Sequence, residues 1–178
     1  RSRDAFIGKL DSLFTADSKL EGESTSVDIS GLIGQYAHGN EPSHHIAHLY
    51  NYVGQPWRTQ EIVDEVLHTL YFNNPDGLSG NEDCGQMSAW YILNAMGFYQ
   101  VCPGKPVYSI GRPLFNEATV HLKDGKSFKV IAHNNSRDNK YVRSIVLNGN
   151  KLETPFFTHQ DIVDGGTLEL TMGSEPLK

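Results

Sequence analysis

The sequence predicts an α+β fold in which helices occupy the first part of the chain and a small antiparallel β module occupies the second. Two observations support this. Up to about residue 100, apolar side chains recur every three or four positions, as on one face of a helix. After Pro103 and Gly104 they alternate in short segments that end in turn-forming dipeptides. We therefore expect two parts, residues 1–103 and 104–178, with a sandwich-like arrangement of strands in the second.

Four helices are predicted in the first part. Residues 4–14, 41–53 and 56–71 each place their apolar side chains on one stripe, and a proline stands in the first turn of the last two. Because the connection between those two segments is very short, they are predicted to form a helical hairpin. Residues 86–96 are apolar nearly all round, which is typical of a helix that is buried on every side.

Two stretches between these helices are predicted to be loops. Residues 20–26 are small and polar. Residues 73–80 contain asparagine, proline, glycine and serine in a run that is too long for a tight turn. Long loops of this kind often carry functional residues.

Three turn signals divide the second part of the chain into strands. The dipeptides Asp-Gly and Asn-Gly are typical of tight hairpin turns, and Gly-Gly also allows a change of direction. Alternating apolar segments adjoin these signals, namely residues 118–122 and 128–132 around Asp124, residues 145–147 and 152 around Asn148, and residues 167–172 after Gly165. The pattern predicts antiparallel pairing of neighbouring segments.

The charge and the apolar content of the chain exclude two classes of partner. The formal net charge is -6 at pH 7, whereas nucleic-acid binding requires clustered Lys and Arg, so we expect no nucleic-acid partner. The sequence contains no run of about 18 apolar residues, and we therefore expect no membrane span.

Cys84 and Cys102 are the only cysteines in the sequence. Two cysteines are too few for a disulfide scaffold, and their spacing does not fit a structural zinc site. We expect two buried free thiols, and a single disulfide is the alternative.

An acidic loop precedes the predicted helix at residues 86–96. It contains Asn81, Glu82 and Asp83 and is flanked by glycines, which let the backbone turn sharply and approach a ligand. Carboxylates in this position could hold a calcium ion or a sugar hydroxyl. The alternative is that Glu82 or Asp83 simply caps the helix that follows.

A second polar pair, Asn40 and Glu41, also stands immediately before a predicted helix. Capping is again the alternative. Each of the two loops combines an asparagine with a glutamate, and Trp57 and Trp90 lie nearby in the sequence. Paired carboxylates beside aromatic rings are typical of sites that cleave sugars, although both tryptophans could equally belong to the core.

Three histidines, His44, His45 and His48, lie close together in the sequence. His44 and His48 are four residues apart, so on a helix they could share a metal ion. The zinc-protease pattern requires glutamate directly after the first histidine, and His45 occupies that position instead. A zinc protease is therefore disfavoured, and capping or packing against an acidic neighbour is the ordinary alternative.

Several long stretches resemble glycoside hydrolase family 92. They are GLIGQYAHGNEPSHH at residues 31–45, GQPW at 54–57, NPDGL at 74–78, GNEDCGQMSAWY at 80–91, GFYQVCPG at 97–104 and YSIGRPLF at 108–115. Together they indicate that almost the whole chain fits the C-terminal portion of such an enzyme.

The resemblance implies an (α/α)6 barrel whose last helices are residues 1–103, followed by the β module. It also implies calcium dependence and exo-acting hydrolysis of α-mannosides with inversion, in mannan or high-mannose N-glycans. We expect α-1,2 linkages, and α-1,3, α-1,4 and α-1,6 linkages or a mannose phosphodiester are the alternatives. Family members are mostly periplasmic, secreted or cell-surface enzymes, and we expect the same location here.

The resemblance also assigns roles to individual residues. Asp83 matches the general base that activates water, and Asn40 with Glu41 matches the calcium and sugar site. The remaining expected substrate-binding residues are His44, His45, Asn81, Glu82 and Gln86. Position 81 is acidic in some members of the family, so Asn81 departs from their pattern.

The resemblance implies a general acid upstream of this region, in an aromatic-rich motif that has no counterpart in the sequence. The predicted helices are also too few for a barrel of six pairs. We therefore expect the chain alone to be inactive and to bind the N-terminal portion of the enzyme. A carbohydrate-binding or accessory module is the alternative function, and a purely structural fragment is a third possibility.

Overall fold

Within residues 2–19 and 29–178, which the computed structural model describes, the chain forms four α-helices and ten strands. The predicted loop at residues 20–26 lies outside the described residues. The helices are α1 (Arg3–Thr15), α2 (Pro56–Thr69), α3 (Gln86–Met96) and the short α4 (His159–Val163). The first three confirm the helices predicted from apolar periodicity at residues 4–14, 56–71 and 86–96, whereas α4 was not predicted.

The helix predicted at residues 41–53 is wrong. The chain instead forms two 3-10 segments, Glu41–Ser43 and Ile46–Val53. Tertiary contacts break the helix between them, because the carbonyl oxygen of His44 accepts a hydrogen bond from the Trp90 indole at 3.1 Å. The second segment ends at Gly54, whose φ of 68° favours glycine.

Helix α3 is buried on one side rather than on all sides. Met87, Trp90 and Ala95 are fully covered, in agreement with the prediction of a core helix. Ile92, however, is 55% exposed. The part of the protein that the structure describes therefore covers only some of the apolar side chains of this helix.

The strands form three sheets. They are β1 (Leu32–Ile33), β2 (Tyr36–Ala37), β3 (Phe98–Tyr99), β4 (Val107–Ile110), β5 (Glu117–His121), β6 (Ser127–His133), β7 (Tyr141–Leu147), β8 (Asn150–Lys151), β9 (Phe156–Thr158) and β10 (Gly166–Gly173). Strands β1 and β2 make a small ribbon, β3, β4 and β9 make the second sheet, and the largest sheet has the order β5-β6-β10-β7-β8. The hairpins predicted at Asp124 and Asn148 are confirmed as β5-β6 and β7-β8.

The expectation of a wholly antiparallel module is wrong at one place. Strand β10 pairs in parallel with β6, with Leu168 opposite Val130, and antiparallel with β7. Because β6 and β7 run in opposite directions, any strand inserted between them must be parallel to one of the two. The sequence pattern does not show this insertion, since it depends on where the last strand enters the sheet.

Two apolar cores hold the fold together. Side chains from both larger sheets meet in the first, which includes Phe98, Phe128 and Leu168, while the second lies among the helices and includes Tyr50 and Trp90. Strand β3 precedes the predicted boundary at residue 103 and pairs with β4, which follows it. The α+β class is confirmed, and the division into two parts stays a prediction.

A buried ion pair joins the helices to the β module. Asp64 on α2 lies 2.9 Å from Nε of Arg112, which follows β4 and is almost fully buried. Next to it, Gln60 accepts a hydrogen bond from the amide of Val142 at 3.1 Å. Removing one partner of such a pair would leave an uncompensated charge, so these contacts hold the two regions in one arrangement.

Both cysteine thiols are free, as predicted, but the expectation that they are buried is wrong. Cys84 and Cys102 are exposed. Each lies in a turn at the surface rather than on the apolar face of an element. None of the helices that the structure describes is long and apolar enough to cross a membrane.

Candidate active site

Glycines bring the two polar loops into contact. A side-chain carbon on Gly39 would lie 2.5 Å from the carbonyl oxygen of Ser79, and one on Gly80 would lie 3.0 Å from the carbonyl oxygen of Gly39. Gly80 also has a φ of 88°, which disfavours other residues. The loop that carries Glu41 therefore lies directly against the loop that carries the acidic residues 81–83.

The acidic turn, residues 81–85, has an unusual backbone. Asp83, Cys84 and Gly85 have successive φ values of 50°, 58° and 88°. A left-handed conformation in a residue other than glycine costs about 1–3 kcal/mol and persists only where the surroundings impose it. Here the carbonyl oxygens of Glu82 and Asp83 accept hydrogen bonds from the first amides of α3. The turn holds the side chain of Asp83 at the surface.

Glu82 caps helix α3. Its carboxylate accepts hydrogen bonds from the amide of Ser88 at 2.9 Å and from the Ser88 hydroxyl at 2.8 Å. The capping alternative is therefore observed for Glu82. Asp83 has a different environment, because it is exposed and its side-chain partner is Glu41.

The side chains of Asp83 and Glu41 are paired. A hydrogen bond to Glu41 raises the pKa of the Asp83 carboxyl, and slight desolvation and the negative charges of Glu41 and Glu82 add to the effect. Two neighbouring carboxyl groups are held together most favourably by a shared proton or by a cation.

A cluster of packed rings joins the loop that carries Glu41 to α3. We call His38, His44, Tyr71 and Trp90 the histidine floor. The rings of His38 and His44 stack with centroids 4.6 Å apart, and the edge of Trp90 meets His38 at 4.3 Å. Trp90, His38 and His44 are buried, and Tyr71 is half-buried.

The partners of His44 define its protonation. Its Nε2 donates to the carbonyl oxygen of His38 at 3.0 Å, which leaves Nδ1 to accept from the side-chain amide of Gln86 at 3.2 Å. Burial lowers the pKa of His44, so the ring is neutral. Gln86 also donates to the Tyr99 hydroxyl at 3.3 Å. His44 thus positions Gln86 at the start of α3.

His38 is buried with a similar set of partners. The Tyr71 hydroxyl donates to the carbonyl oxygen of Met87 at 3.1 Å, and it therefore accepts from His38 Nε2 at 2.7 Å. The other nitrogen, Nδ1, accepts from the hydroxyl of Tyr36 at 2.9 Å. Burial and the neighbouring His44 lower the pKa of His38 to about 3. These partners assign one neutral tautomer.

His48 does not share a metal with His44. Its Nε2 donates to the side-chain oxygen of Asn94 at 2.8 Å, and its Nδ1 lies 3.1 Å from the Ser109 hydroxyl. Among the residues that the structure describes, no group of three or more His, Cys, Asp or Glu side chains is placed to hold a metal ion. Both histidines are packed, but against neutral partners rather than the acidic neighbour that the alternative predicted.

His48 is expected to make folding stability depend on pH. Burial lowers the pKa of His48 to about 4, whereas an unfolded histidine titrates near 6.5. The contribution of His48 to the free energy of unfolding is therefore complete above pH 6.5 and declines as the pH falls from 6.5 towards 4. Between pH 7 and pH 5 the protein should lose about 2 kcal/mol more of its unfolding free energy than a His48→Gln variant.

Urea denaturation of both proteins at the two pH values measures this difference. Comparing each protein with itself removes the cost of the substitution at neutral pH. Equal losses in the two proteins would show that His48 takes up a proton in the folded state without penalty.

Comparison with known proteins identifies the family. Residues 1–174 match the family described as the glycosyl hydrolase family 92 catalytic domain. The chain belongs to glycosyl hydrolase family 92. This confirms the resemblance seen in the ordered stretches between residues 31 and 115.

Solved family 92 structures match nearly the whole chain. The α-mannosidase BT3965 from Bacteroides thetaiotaomicron is 43% identical over 99% of this chain and 23% of its own, with a TM-score of 0.89. The inverting mannosidase BT2199 from the same organism is 42% identical over 98% of this chain and 25% of its own, with a TM-score of 0.82. The chain therefore spans about a quarter of the length of these relatives.

A further relative is an uncharacterised secreted glycosidase from Arthroderma benhamiae. It is 31% identical over 140 residues, which are 77% of this chain and 18% of the relative.

The residues expected from the family 92 resemblance fall into three groups in the structure. Asp83 and Glu41 come together at the surface, although 42 positions separate them in the sequence. Glu82, Gln86 and His44 are instead bound to other side chains or to the backbone. Their assignment as substrate-binding residues stays a prediction.

The three remaining expected residues have free polar atoms. No residue within the described part of the chain forms a hydrogen bond with the side chain of Asn40, Asn81 or His45. Asn81 is exposed, while Asn40 and His45 are half-buried. Their assignment as calcium or substrate ligands stays a prediction.

Sequence reasoning missed two residues that support the candidate site. His38 lies inside the recognisable stretch at residues 31–45, next to Gly39, and that proximity was the signal that could have found it. Tyr71 was interpreted as the end of an apolar helical stripe. Periodicity cannot distinguish a tyrosine that makes a specific hydrogen bond from one that only packs in the core. Here the hydrogen-bond partner is His38, 33 positions away.

Proposed function

We propose that this chain is the base-bearing part of a calcium-dependent exo-α-mannosidase that inverts configuration, with α-1,2-linked mannose as the substrate. The pair of Asp83 and Glu41 carries this proposal, because it places two carboxyl groups at the surface above a neutral, buried floor. The chain spans about a quarter of its structural relatives, so the activity belongs to the complete protein.

Asp83 is the proposed general base. A general base needs an ionised carboxylate that water can reach, and Asp83 is exposed beside its partner Glu41. The exposed acidic turn leaves room for a water molecule beside the carboxylate. In an inverting glycosidase that water attacks the sugar carbon from the face opposite the leaving group.

The general acid lies outside this chain in the proposal. Inverting enzymes hold their acid and base about 6.5–9.5 Å apart, which leaves space for the water. The relative BT2199 is described as an inverting mannosidase, which supports this stereochemistry. A second structure of BT3965 contains mannoimidazole, which supports a mannose-like ligand in a protein of the same fold.

Asn40 and Glu41 are the proposed calcium ligands in this chain. Calcium takes six to eight oxygen ligands, and the side chains of both residues offer such oxygens. A cation beside Glu41 and Asp83 would relieve the repulsion between two carboxylates. When bound, calcium would hold the 2- and 3-hydroxyls of mannose and favour distortion of the ring.

The other proposed properties follow from family membership. The helices α1–α3 would be the last part of an (α/α)6 barrel completed by the N-terminal portion of the enzyme. Mannan and high-mannose N-glycans are the proposed substrates. The secreted relative from Arthroderma benhamiae supports a location outside the cytoplasm, in the periplasm, at the cell surface or in the medium.

Release of mannose from α-1,2-mannobiose by the full-length protein tests the function. Anomeric NMR of the first product distinguishes inversion from retention. Turnover with inversion is the expected result, and no release from this chain alone is expected. Binding of the disaccharide without turnover by the full-length protein would instead establish the carbohydrate-binding alternative.

Calcium removal is expected to abolish this turnover. Treatment of the full-length protein with a chelator should stop mannose release, and Ca²⁺ should restore it better than Mg²⁺, which dehydrates reluctantly. Glu41→Gln should raise the Ca²⁺ concentration for half-maximal activity by about tenfold or more, because it removes a charged ligand.

Glu153→Gln is the matched control, since Glu153 is an exposed carboxylate whose described partner is Lys151. It should leave the calcium response unchanged. Full activity in the presence of excess chelator would contradict a role for calcium.

A further inference from the structure

A chain of hydrogen bonds runs through the histidine floor towards the proposed base. The Tyr36 hydroxyl donates to Nδ1 of His38 at 2.9 Å, and Nε2 of His38 donates to the Tyr71 hydroxyl at 2.7 Å. The Tyr71 hydroxyl donates in turn to the carbonyl oxygen of Met87 at 3.1 Å. Every group in this chain therefore donates in the same direction, towards the start of α3.

The peptide group between Met87 and Ser88 continues the chain to Glu82. Its carbonyl oxygen accepts from Tyr71, while its N–H donates to the carboxylate of Glu82 at 2.9 Å. The other carboxylate oxygen accepts from the Ser88 hydroxyl at 2.8 Å. Because hydrogen bonds in series polarise one another, each of them strengthens the next. We call the chain from Tyr36 to Glu82 the tyrosine relay.

Glu82 is also tied to α3 through its backbone. Its carbonyl oxygen accepts from the amide of Met87 at 3.2 Å, so its side chain and its main chain are both fixed on the helix. Asp83 follows directly, and its φ of 50° is a left-handed conformation that persists only where the surroundings impose it. Because the Asp83 side chain is exposed, its direction depends on the backbone that Glu82 anchors and on the contact with Glu41.

We propose that Tyr71 and Glu82 are positioning residues that act through the tyrosine relay to hold Asp83 in the direction that a general base requires. This rests on the proposed function, in which Asp83 activates water. Two competing roles exist. Glu82 would touch the sugar according to the family resemblance, and Tyr71 would only pack in the core, where its ring stacks on Trp90.

Tyr71→Phe tests the relay in the full-length protein, because it removes the hydroxyl and keeps the ring. Loss of one hydrogen bond in the series is expected to lower kcat for α-1,2-mannobiose by about fivefold to tenfold and to leave KM within about twofold. Tyr108→Phe is the matched control, since the Tyr108 hydroxyl bonds to the exposed ring of His159 and not to the relay. It should leave kcat unchanged.

A double-mutant cycle on kcat separates positioning from packing. Glu82→Ala is expected to lower kcat by about tenfold or more, and Glu82→Gln, which keeps an acceptor for the Ser88 amide, should recover most of the loss. If Tyr71 acts through Glu82, adding Tyr71→Phe to Glu82→Ala costs nothing further. Additive losses would overturn the proposal, as would an unchanged kcat in Tyr71→Phe. A raised KM with normal kcat in Glu82→Ala would assign the sugar contact instead.

Amide hydrogen exchange provides a readout that needs no turnover. In the full-length protein, the amides of residues 83–88 are expected to exchange about tenfold faster in Tyr71→Phe than in the parent protein. Unchanged exchange at residues 117–133 would show that the variant is folded. Equal rates at residues 83–88 in the two proteins would refute the relay. A parent protein that releases no mannose would contradict the proposed function, and the exchange rates would still decide whether the relay holds the acidic turn.

Discussion

Replacing Asp83 by asparagine in the full-length protein is expected to lower kcat for an α-mannoside by about two to four orders of magnitude. A positioned general base contributes this much, and an amide cannot accept the proton from water. Asp83 is exposed and does not cap α3, so the substitution should leave folding intact. Steady-state kinetics with α-1,2-mannobiose measure the loss.

The effect should fall on catalysis rather than on binding. The variant is expected to retain affinity for a mannose-like inhibitor, measured by calorimetry, while kcat collapses. Asp76→Asn is the matched control, because Asp76 is an exposed carboxylate in the loop just before the acidic turn. Near-normal turnover by Asp83→Asn would remove the base assignment.

Replacing Trp90 by alanine is expected to destabilise the fold by about 3–5 kcal/mol, which is the usual cost of deleting a large buried aromatic side chain. Trp90 is completely buried in the helical core. The substitution also removes the indole donor to the carbonyl oxygen of His44 and one wall of the histidine floor. Chemical denaturation followed by circular dichroism measures the change.

Tyr52→Ala provides the comparison for this variant. Tyr52 is an aromatic residue with about half of its surface exposed, so its removal should cost far less. A Trp90→Ala protein as stable as the Tyr52→Ala protein would show that the floor is not part of the cooperative core. Trp90→Phe should lie between the two, since it keeps much of the volume but loses the N–H donor.

The histidine floor links stability to the proposed chemistry. His44 is neutral and hydrogen bonds to Gln86, the first residue of α3, while His38 is held by two tyrosine hydroxyls. These bonds position the start of α3 and therefore the acidic turn that precedes it. Neutral rings suit this place, because a buried charge beneath the carboxyl pair would need its own partner.

Local pattern was sufficient for much of the fold. Helices α1, α2 and α3 were predictable from the spacing of apolar residues, and the hairpins at Asp124 and Asn148 from their turn residues. Both signals involve residues within a few positions of each other. The family was recognisable for another reason, since long ordered stretches match across most of the chain.

The sequence by itself determined the α+β class, three of the helices, the hairpins and the membership of family 92. Only the tertiary structure decided that Glu41 pairs with Asp83, that β10 enters the sheet between β6 and β7, and that the chain before Gly54 forms 3-10 segments. Each of these depends on groups far apart in the sequence, such as the Trp90 indole and the carbonyl oxygen of His44, 46 positions away. Such contacts leave no periodic trace, because their energy arises only when packing brings the partners together.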